Sequence, residues 1–280
     1  MTNRFHQLPR ALAEKARTVR LGGSIPALLA HPDWSTPAPT MIWLHGRTAT
    51  KELDPGRYLR WIRAGIAACA IDLPGHGERF DADLQSPRRS LDMLAQAIGE
   101  IDHVVEALAA GEFRGVFDLD RLALGGMSAG GMATLRRLCD AHPFRCAAVE
   151  ATTGWLAALY HPELAGLAAG SRHRWSVEHP RERIVGLDPM EHLAGFAPIP
   201  LLALHSEADK VVPLAGMSAF LGELRAHYAD LGEPEALAEL RTWATTGAPE
   251  EHVGFGRASN DAKNLQTEFL RHWLGAPRMI

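Results

Sequence analysis

Short apolar segments alternate with helical patterns along almost the whole chain, and this alternation restricts the possible folds more than any other feature. Eight segments have the length and residue types of β-strands. They are residues 16–21, 25–30, 40–45, 67–72, 121–126, 145–151, 200–205 and 238–244. The first two flank Gly22, Gly23 and Ser24, which predicts an antiparallel hairpin.

Helical patterns occupy the longer segments between these strands. In the clearest, residues 91–110, an apolar residue recurs every three or four positions, at Leu91, Leu94, Ile98, Ile101, Val105 and Leu108. A second helix is predicted directly after Ser128. A third is predicted over residues 260–274, with Leu265, Phe269 and Trp273 on one side. The sequence therefore predicts an α/β fold: a mostly parallel, eight-stranded twisted sheet with helices on both faces and an antiparallel edge hairpin.

Residues 153–197 interrupt the alternation. They are helical, Ala-rich and His/Arg-rich without a strand pattern, which predicts a small inserted segment above the sheet. Its apolar residues either line an acyl pocket under a small lid or pack the insertion onto the sheet. They are Leu156, Leu159, Tyr160, Leu164 and Leu167. Because no linker divides the chain, residues 1–280 are predicted to form one domain.

Composition and charge argue against several classes of partner. Hydrophobic residues make up 46% and charged residues 22% of the 280 positions, and the formal charge is −4. Without a basic surface signal, neither nucleic acid nor an anionic membrane is expected as a partner. The sequence contains no run of about 18 apolar residues, the length that is needed to span a bilayer. Its first residues lack the apolar core of a signal peptide. We therefore expect a cytoplasmic protein.

The segment from Gly126 to Gly130 reads Gly-Met-Ser-Ala-Gly and centres on Ser128. It follows an apolar strand and precedes a helical run, which is the context of a nucleophilic serine at a sharp strand-to-helix turn. Small flanking residues let the strand and the helix approach closely. A partial copy at residues 216–219 lacks both the last glycine and a preceding strand. Ser128 is therefore the predicted nucleophile.

A serine hydroxyl becomes an effective nucleophile only when a neutral imidazole accepts its proton. Among the 14 histidines, His252 lies in the loop between the last strand and the final helix. In a parallel sheet that loop lies over the carboxyl ends of the strands, beside the nucleophile. The residue that orients the imidazole is expected after the seventh strand, where Asp209 is the preferred candidate and Glu207 the alternative.

Acyl transfer also requires backbone N–H donors for the negatively charged oxygen of the tetrahedral intermediate. Ala129, next to the nucleophile, is predicted to supply one of them. Arg47 is predicted to supply the other, because Gly46 allows the loop after the third strand to turn this amide inward. His45 is expected to brace the loop by hydrogen bonding rather than to take part in catalysis.

Four motifs stand in chain order: His45-Gly46, residues 72–77, the segment around Ser128, and residues 205–213 followed by a late histidine. Over residues 16–274 the chain resembles the α/β-hydrolase superfamily, and within it the small esterases and peptidase-related hydrolases near dienelactone hydrolase and the prolyl oligopeptidase catalytic domain. The resemblance implies the α/β-hydrolase fold, no cofactor or metal, and a small-molecule ester substrate. Two departures are Ser206, where this group often has glycine, and Ser128, where dienelactone hydrolases proper have cysteine.

Together, the residues and the resemblance lead to a serine hydrolase that cleaves carboxylic esters through an acyl-enzyme. Thioesterase or peptidase activity with the same residues is an alternative, and so is a non-catalytic, hydrolase-like binding protein. Because imidazole must be neutral to accept a proton, activity is expected to rise through about pH 6–7.

Positively charged residues lie near the oxyanion loop and in the insertion. A guanidinium matches a carboxylate bidentately, so one of the arginines is a candidate contact for a polar or anionic part of the substrate. A solvated surface charge is the alternative interpretation for each residue. The cations near the loop are Arg47, Lys51, Arg57, Arg60 and Arg63; the segment in the insertion consists of Arg172, His173, Arg174 and the uncharged Trp175.

Overall fold

The computed structural model describes residues 8–161 and 179–276. All eight predicted strands are present in one sheet, in the spatial order β1-β2-β4-β3-β5-β6-β7-β8. They are β1 (Ala16–Leu21), β2 (Ile25–Ala30), β3 (Ala38–Leu44), β4 (Ala67–Ile71), β5 (Phe117–Met127), β6 (Phe144–Glu150), β7 (Leu201–Ser206) and β8 (Ala238–Trp243). β2 pairs antiparallel with β1 and with β4, and every other pairing is parallel. The prediction of an α/β-hydrolase fold with an antiparallel edge hairpin is confirmed.

The described residues contain eight α-helices. They are α1 (Arg10–Ala13), α2 (Pro55–Arg63), α3 (Ser90–Leu108), α4 (Ala129–Arg137), α5 (Leu156–Tyr160), α6 (Arg181–Leu187), α7 (Leu214–Asp230) and α8 (Ser259–Leu274). Helices α3, α4 and α7 pack on one face of the sheet, and α1, α2 and α8 pack on the other. No helix in the described ranges combines the length and the apolarity needed to cross a membrane.

Both faces of the central strands are buried, which explains their continuous apolar sequence. Every residue of β2, β3, β4 and β7 is buried, as strands covered by helices on two sides require. β5 is longer than the predicted strand and begins at Phe117. Its first residues pair with Ala38 and Pro39 before the register shifts at Thr40. Because of this irregularity, the start of the strand could not be predicted from the sequence pattern.

Of the three apolar residues on one side of α8, Phe269 packs against the core and the other two do not. Leu265 and Trp273 are exposed, and the buried positions are Ala262, Gln266, Thr267, Leu270 and Leu274. Gln266 is buried because its amide bonds a charged pair beneath the helix: its Oε1 accepts from Arg57 Nη1 at 2.5 Å, and its Nε2 donates to Glu150 at 3.3 Å. A hydrophobic pattern cannot identify a polar residue that is buried because it hydrogen-bonds a buried ion pair.

Part of the connection between β6 and β7 is described. It contains α5, α6 and a 3₁₀ segment at Pro189–Gly195, without a strand in the described part. Leu156 and Leu159 are buried and belong to the core on the α7 side of the sheet, with Tyr160 packed against them. Leu164 and Leu167 lie outside the described residues, so the lid interpretation of residues 153–197 stays a prediction.

Candidate active site

Ser128 occupies a strained turn between β5 and α4. Its backbone angles are φ 52° and ψ −118°, in a region that residues with a side chain seldom adopt. Two hydrogen bonds hold the turn: Ser128 N–H donates to the carbonyl of Glu150 at 2.9 Å, and Thr152 Oγ1 donates to the Ser128 carbonyl at 2.7 Å. The neighbouring strand thus fixes a conformation that lifts the side chain above the sheet.

The glycines of the motif are required by close backbone contacts. A Cβ atom on Gly130 would lie 2.2 Å from the carbonyl oxygen of Leu44, and one on Gly126 would lie 2.4 Å from the carbonyl carbon of Gly130. Both obstacles are main chain, which cannot rotate away. Positions 126 and 130 therefore have no room for a side chain.

Three side chains that are distant in sequence form one hydrogen-bonded chain. Ser128 Oγ lies 3.0 Å from His252 Nε2, and Asp209 Oδ2 lies 2.8 Å from His252 Nδ1. Because a carboxylate can only accept, Nδ1 carries the proton, which leaves Nε2 to accept from the serine hydroxyl. All three residues are buried. This is the geometry of a nucleophile, a base and an orienting acid.

The second oxygen of Asp209 is fixed by the backbone. Oδ1 accepts hydrogen bonds from the N–H groups of Val211 and Val212, each at 2.8 Å. Glu207, the alternative acid, points elsewhere and accepts from Thr242 Oγ1 at 2.7 Å. Of the two candidates, the structure therefore brings Asp209 to the imidazole.

A buried histidine supports the same loop. His205 Nε2 donates to the carbonyl of Val212 at 2.9 Å and lies 3.5 Å from Asp209 Oδ2. Burial lowers the pKa of His205, so its ring is neutral at neutral pH and adds no second positive charge beside the acid. Nothing in the linear pattern identified this contact.

The carboxylate of Glu251 organises the loop that carries His252. Its Oε2 accepts from Thr246 N at 2.5 Å, from Thr246 Oγ1 at 2.8 Å and from Ser206 Oγ at 2.9 Å, and its Oε1 accepts from Gly247 N at 2.8 Å. The hydrogen bond from the backbone of Thr246 is the main reason that the pKa of Glu251 falls to about 2. The departure at Ser206 was the available sequence signal for this contact.

The loop after β3 is attached to the turn after β4. His45 Nδ1 donates to the carbonyl of Gly46 at 2.7 Å, and Nε2 accepts from Leu73 N–H at 3.0 Å. Burial lowers the pKa of His45, so the ring is neutral and can serve both as donor and as acceptor. Asp72 accepts from the backbone N–H and from the Nζ of Lys51, each at 2.9 Å. His45 therefore braces the loop, as its position predicts.

The two predicted oxyanion donors lie beside the nucleophile. Ala129 is the first residue of α4, where a backbone N–H has no acceptor within the helix. A Cβ on Gly46 would be 3.3 Å from the Cβ of Ser128, which places the residue before Arg47 against the nucleophile. Within the described ranges, neither the Arg47 N–H nor the Ala129 N–H donates to another backbone group. A role of these two N–H groups in an oxyanion hole stays a prediction.

An open cleft of about 370 Å³ adjoins Ser128 and His252. One wall comes from the loop after β3 and the other from the loop after β8. The lining residues are Gly46, Arg47, Thr48, Ala49, Leu53, Met127, Ser128, Val211, Glu250, His252 and Val253. This volume is in the lower part of the range for small-molecule sites.

Several candidate substrate contacts are excluded by their positions. Lys51 is buried with Asp72 and the nearby Glu78. Arg57 is buried in a bidentate pair with Glu150, with Nη–O distances of 2.6 and 2.7 Å. Both charges are compensated inside the protein and do not line the cleft.

The other candidates also lie away from the cleft or outside the described residues. Arg60 bonds Asn260 at 2.7 Å, and Arg63 is exposed on another part of the surface. Arg172, His173, Arg174 and Trp175 lie outside the described residues. Of the described candidates, Arg47 lines the cleft beside Ser128.

Residues 61–277 match the model of the prolyl oligopeptidase family. The chain belongs to this family. The protein is therefore a serine hydrolase. The superfamily suggested by the four motifs is confirmed.

One curated relative is esterase YjfP of Escherichia coli K12, which is 30% identical over 197 residues, 68% of this chain and 76% of the relative. TT1662 from Thermus thermophilus is a similar solved structure, with 23% identity and a TM-score of 0.66. The match covers 94% of this chain and 98% of the TT1662 chain. A puromycin-hydrolyzing peptidase from Mycobacterium tuberculosis has 19% identity and a TM-score of 0.71; the match covers 97% of this chain but 41% of that peptidase. These structures support the fold, and the names of the relatives include both esterases and peptidases.

Proposed function

We propose that this member of the prolyl oligopeptidase family is a carboxylesterase that works through an acyl-enzyme on Ser128. The observation that carries the proposal is the continuous chain from Ser128 Oγ to His252 and Asp209, with links of 3.0 and 2.8 Å, at the edge of an open cleft. The likeness to esterase YjfP, 30% identical, supports an ester as the substrate.

In the acylation step, Ser128 Oγ attacks the ester carbonyl carbon while His252 Nε2 takes the hydroxyl proton. Asp209 stabilises the resulting imidazolium and keeps it oriented. The carbonyl oxygen becomes negatively charged and receives hydrogen bonds from the N–H groups of Arg47 and Ala129. When the carbon–oxygen bond of the leaving alcohol breaks, His252 returns the proton to the alcohol.

Deacylation repeats these steps with water as the nucleophile. His252 Nε2 removes a proton from the water as its oxygen attacks the acyl carbon, and the same two amides stabilise the second oxyanion. Collapse of this intermediate releases the carboxylic acid, and Ser128 recovers its proton from the imidazolium. No external redox partner or activated co-substrate is needed in the cycle.

A peptidase is the second candidate, because the family name and the puromycin-hydrolyzing relative both point to amide cleavage. The chemistry at Ser128 would be the same, and the leaving group would differ. We favour an ester because the esterase relative is the more similar in sequence, 30% against 19%.

The test compares leaving groups on one acyl chain. Purified protein is assayed with the p-nitrophenyl ester, the p-nitroanilide and a thioester of acetate or butyrate, with Ser128→Ala as the control for background hydrolysis. We expect the ester to give the largest ratio of kcat/KM to the uncatalysed rate. A larger ratio for the anilide or the thioester would replace the proposal, and turnover that survives Ser128→Ala would refute it.

A further inference from the structure

We propose that the Arg47 side chain binds a free carboxylate of the substrate, so that the preferred substrates are small carboxylic esters with a second, ionised carboxyl group. The inference rests on the proposed esterase function and adds a substrate class to it. It assigns separate roles to one residue: the Arg47 backbone N–H contributes to the oxyanion hole, and its guanidinium recognises charge.

The surroundings of Arg47 differ from those of the other cations near the site. Its side chain is partly buried and donates from Nη2 to the carbonyl of Gln85 at 2.6 Å, and the residue belongs to the lining of the cleft. Among the described residues, it forms no ion pair with a carboxylate, whereas Arg57 and Lys51 are each paired with acids. Arg47 is thus a cation in the cleft without a compensating anion in the described protein.

A positive charge at a partly buried position is unfavourable unless a ligand compensates it. Removing a charge from water costs free energy that a fixed anion or hydrogen bonds must offset. Burial lowers the pKa of Arg47, but a guanidinium still remains charged in proteins. The guanidinium has five N–H donors, and the bond from Nη2 to Gln85 leaves donors that match the two oxygens of a carboxylate.

The rest of the cleft limits the size of such a substrate. The walls beside Ser128 are mostly apolar or small, with contributions from Ala49, Leu53, Met127 and Val253. A volume of about 370 Å³ suits a short acid rather than a long acyl chain.

The experiment uses two pairs of esters in which only charge changes. Monomethyl succinate is compared with its primary amide, which places the charge on the acyl side, and O-acetylglycolate with O-acetylglycolamide, which places it on the alcohol side. Because an amide nearly matches a carboxylate in shape, the ratio of kcat/KM within a pair reports charge recognition. Release of acid is followed by pH-stat titration at constant ionic strength.

Three variants of the full-length protein are measured on each pair. Arg47→Met removes the charge and keeps the backbone N–H, Arg47→Lys keeps a charge without the fork, and Arg63→Met removes an exposed arginine away from the cleft. We expect the wild type to prefer the acid over the amide by about tenfold to a hundredfold in at least one pair. Arg47→Met should bring that ratio close to one, Arg47→Lys should retain part of it, and Arg63→Met should retain it.

The outcomes separate this inference from the proposed function. A wild type that hydrolyses p-nitrophenyl acetate through Ser128 but shows no acid preference in either pair overturns the inference and leaves the esterase proposal intact. An acid preference that Arg47→Met retains also overturns the inference. Absence of Ser128-dependent hydrolysis of any ester, including p-nitrophenyl acetate, overturns the proposed function and this inference with it.

Discussion

The hydroxyl of Ser206, the last residue of β7, donates a 2.9 Å hydrogen bond to the carboxylate of Glu251, the residue before His252. This contact joins the end of the strand that precedes Asp209 to the loop that carries the imidazole. The same carboxylate bonds the backbone of Thr246 and Gly247 at the start of that loop. Glu251 therefore fixes the position of His252 relative to the sheet without reaching the nucleophile itself.

Replacing Glu251 by alanine should reduce catalysis by misplacing His252. We expect kcat to fall about tenfold to a hundredfold, because a shift of about 1 Å in a catalytic group costs this much, while KM changes little. The measurement is steady-state kinetics on a p-nitrophenyl ester, with Glu207→Gln as the control carboxylate on the neighbouring loop. If Glu251 acts through His252, Glu251→Ala should add no further loss in a His252→Ala background. An equal loss in both backgrounds would contradict the positioning role.

Two glycine-to-alanine changes should have opposite effects on stability. At Gly130 the new Cβ would meet the Leu44 carbonyl oxygen at 2.2 Å, so we expect the free energy of unfolding to fall by about 3 kcal/mol or more. At Gly99, an exposed position in α3 with open space around it, alanine should raise this free energy by about 0.5–1 kcal/mol. Urea denaturation measures both. A change of the same sign at the two positions would contradict the packing at the nucleophile turn.

Buried neutral histidines should make the protein sensitive to mild acid. Burial lowers the pKa of four fully buried histidines below the value near 6.5 expected in the unfolded chain. They are His31, His45, His76 and His205. Below pH 6.5 the unfolded chain therefore binds more protons than the folded one, so the free energy of unfolding is greatest above that pH and falls as the pH decreases.

Each histidine contributes a slope of up to about 1.4 kcal/mol per pH unit. Urea denaturation between pH 5 and 7 should thus show stability rising with pH, by roughly 2 kcal/mol or more between pH 5 and 6. His31→Gln should reduce the slope by about one proton's contribution. A free energy of unfolding that is constant or larger at pH 5 would contradict this account.

The fold could be predicted from the sequence because the patterns of the strands and of the helices are both strong. The strands are buried on two sides and short, and the stripe of α3 at Leu91, Leu94, Ile101 and Leu108 is buried as expected. The core face of α8 does not follow hydrophobicity because it carries Gln266, whose amide bonds Arg57 of α2 and Glu150 of β6. Such a contact joins residues from three separate elements, and no local pattern contains it.

In the candidate site, too, some residues could be predicted from the sequence and others could not. Ser128, Asp209 and His252 could be located because each follows a strand at the same edge of the sheet, which topology alone determines. The contacts of Glu251 and His205 could not, since they depend on how two loops meet above that edge. Arg47 could be distinguished from the other cations only from the burial and the ion pairs of each side chain in the structure, because the sequence shows only that positive charge is present.

The most direct test of the account is the reaction of Ser128 with a fluorophosphonate probe. Peptide mass mapping should place the adduct on Ser128, and the rate constant of labelling should fall by at least about a hundredfold in His252→Ala, because the hydroxyl then loses its proton acceptor. Circular dichroism establishes that the variant is folded. Labelling at another residue, or an undiminished rate in folded His252→Ala, would contradict the claim that these two side chains act together.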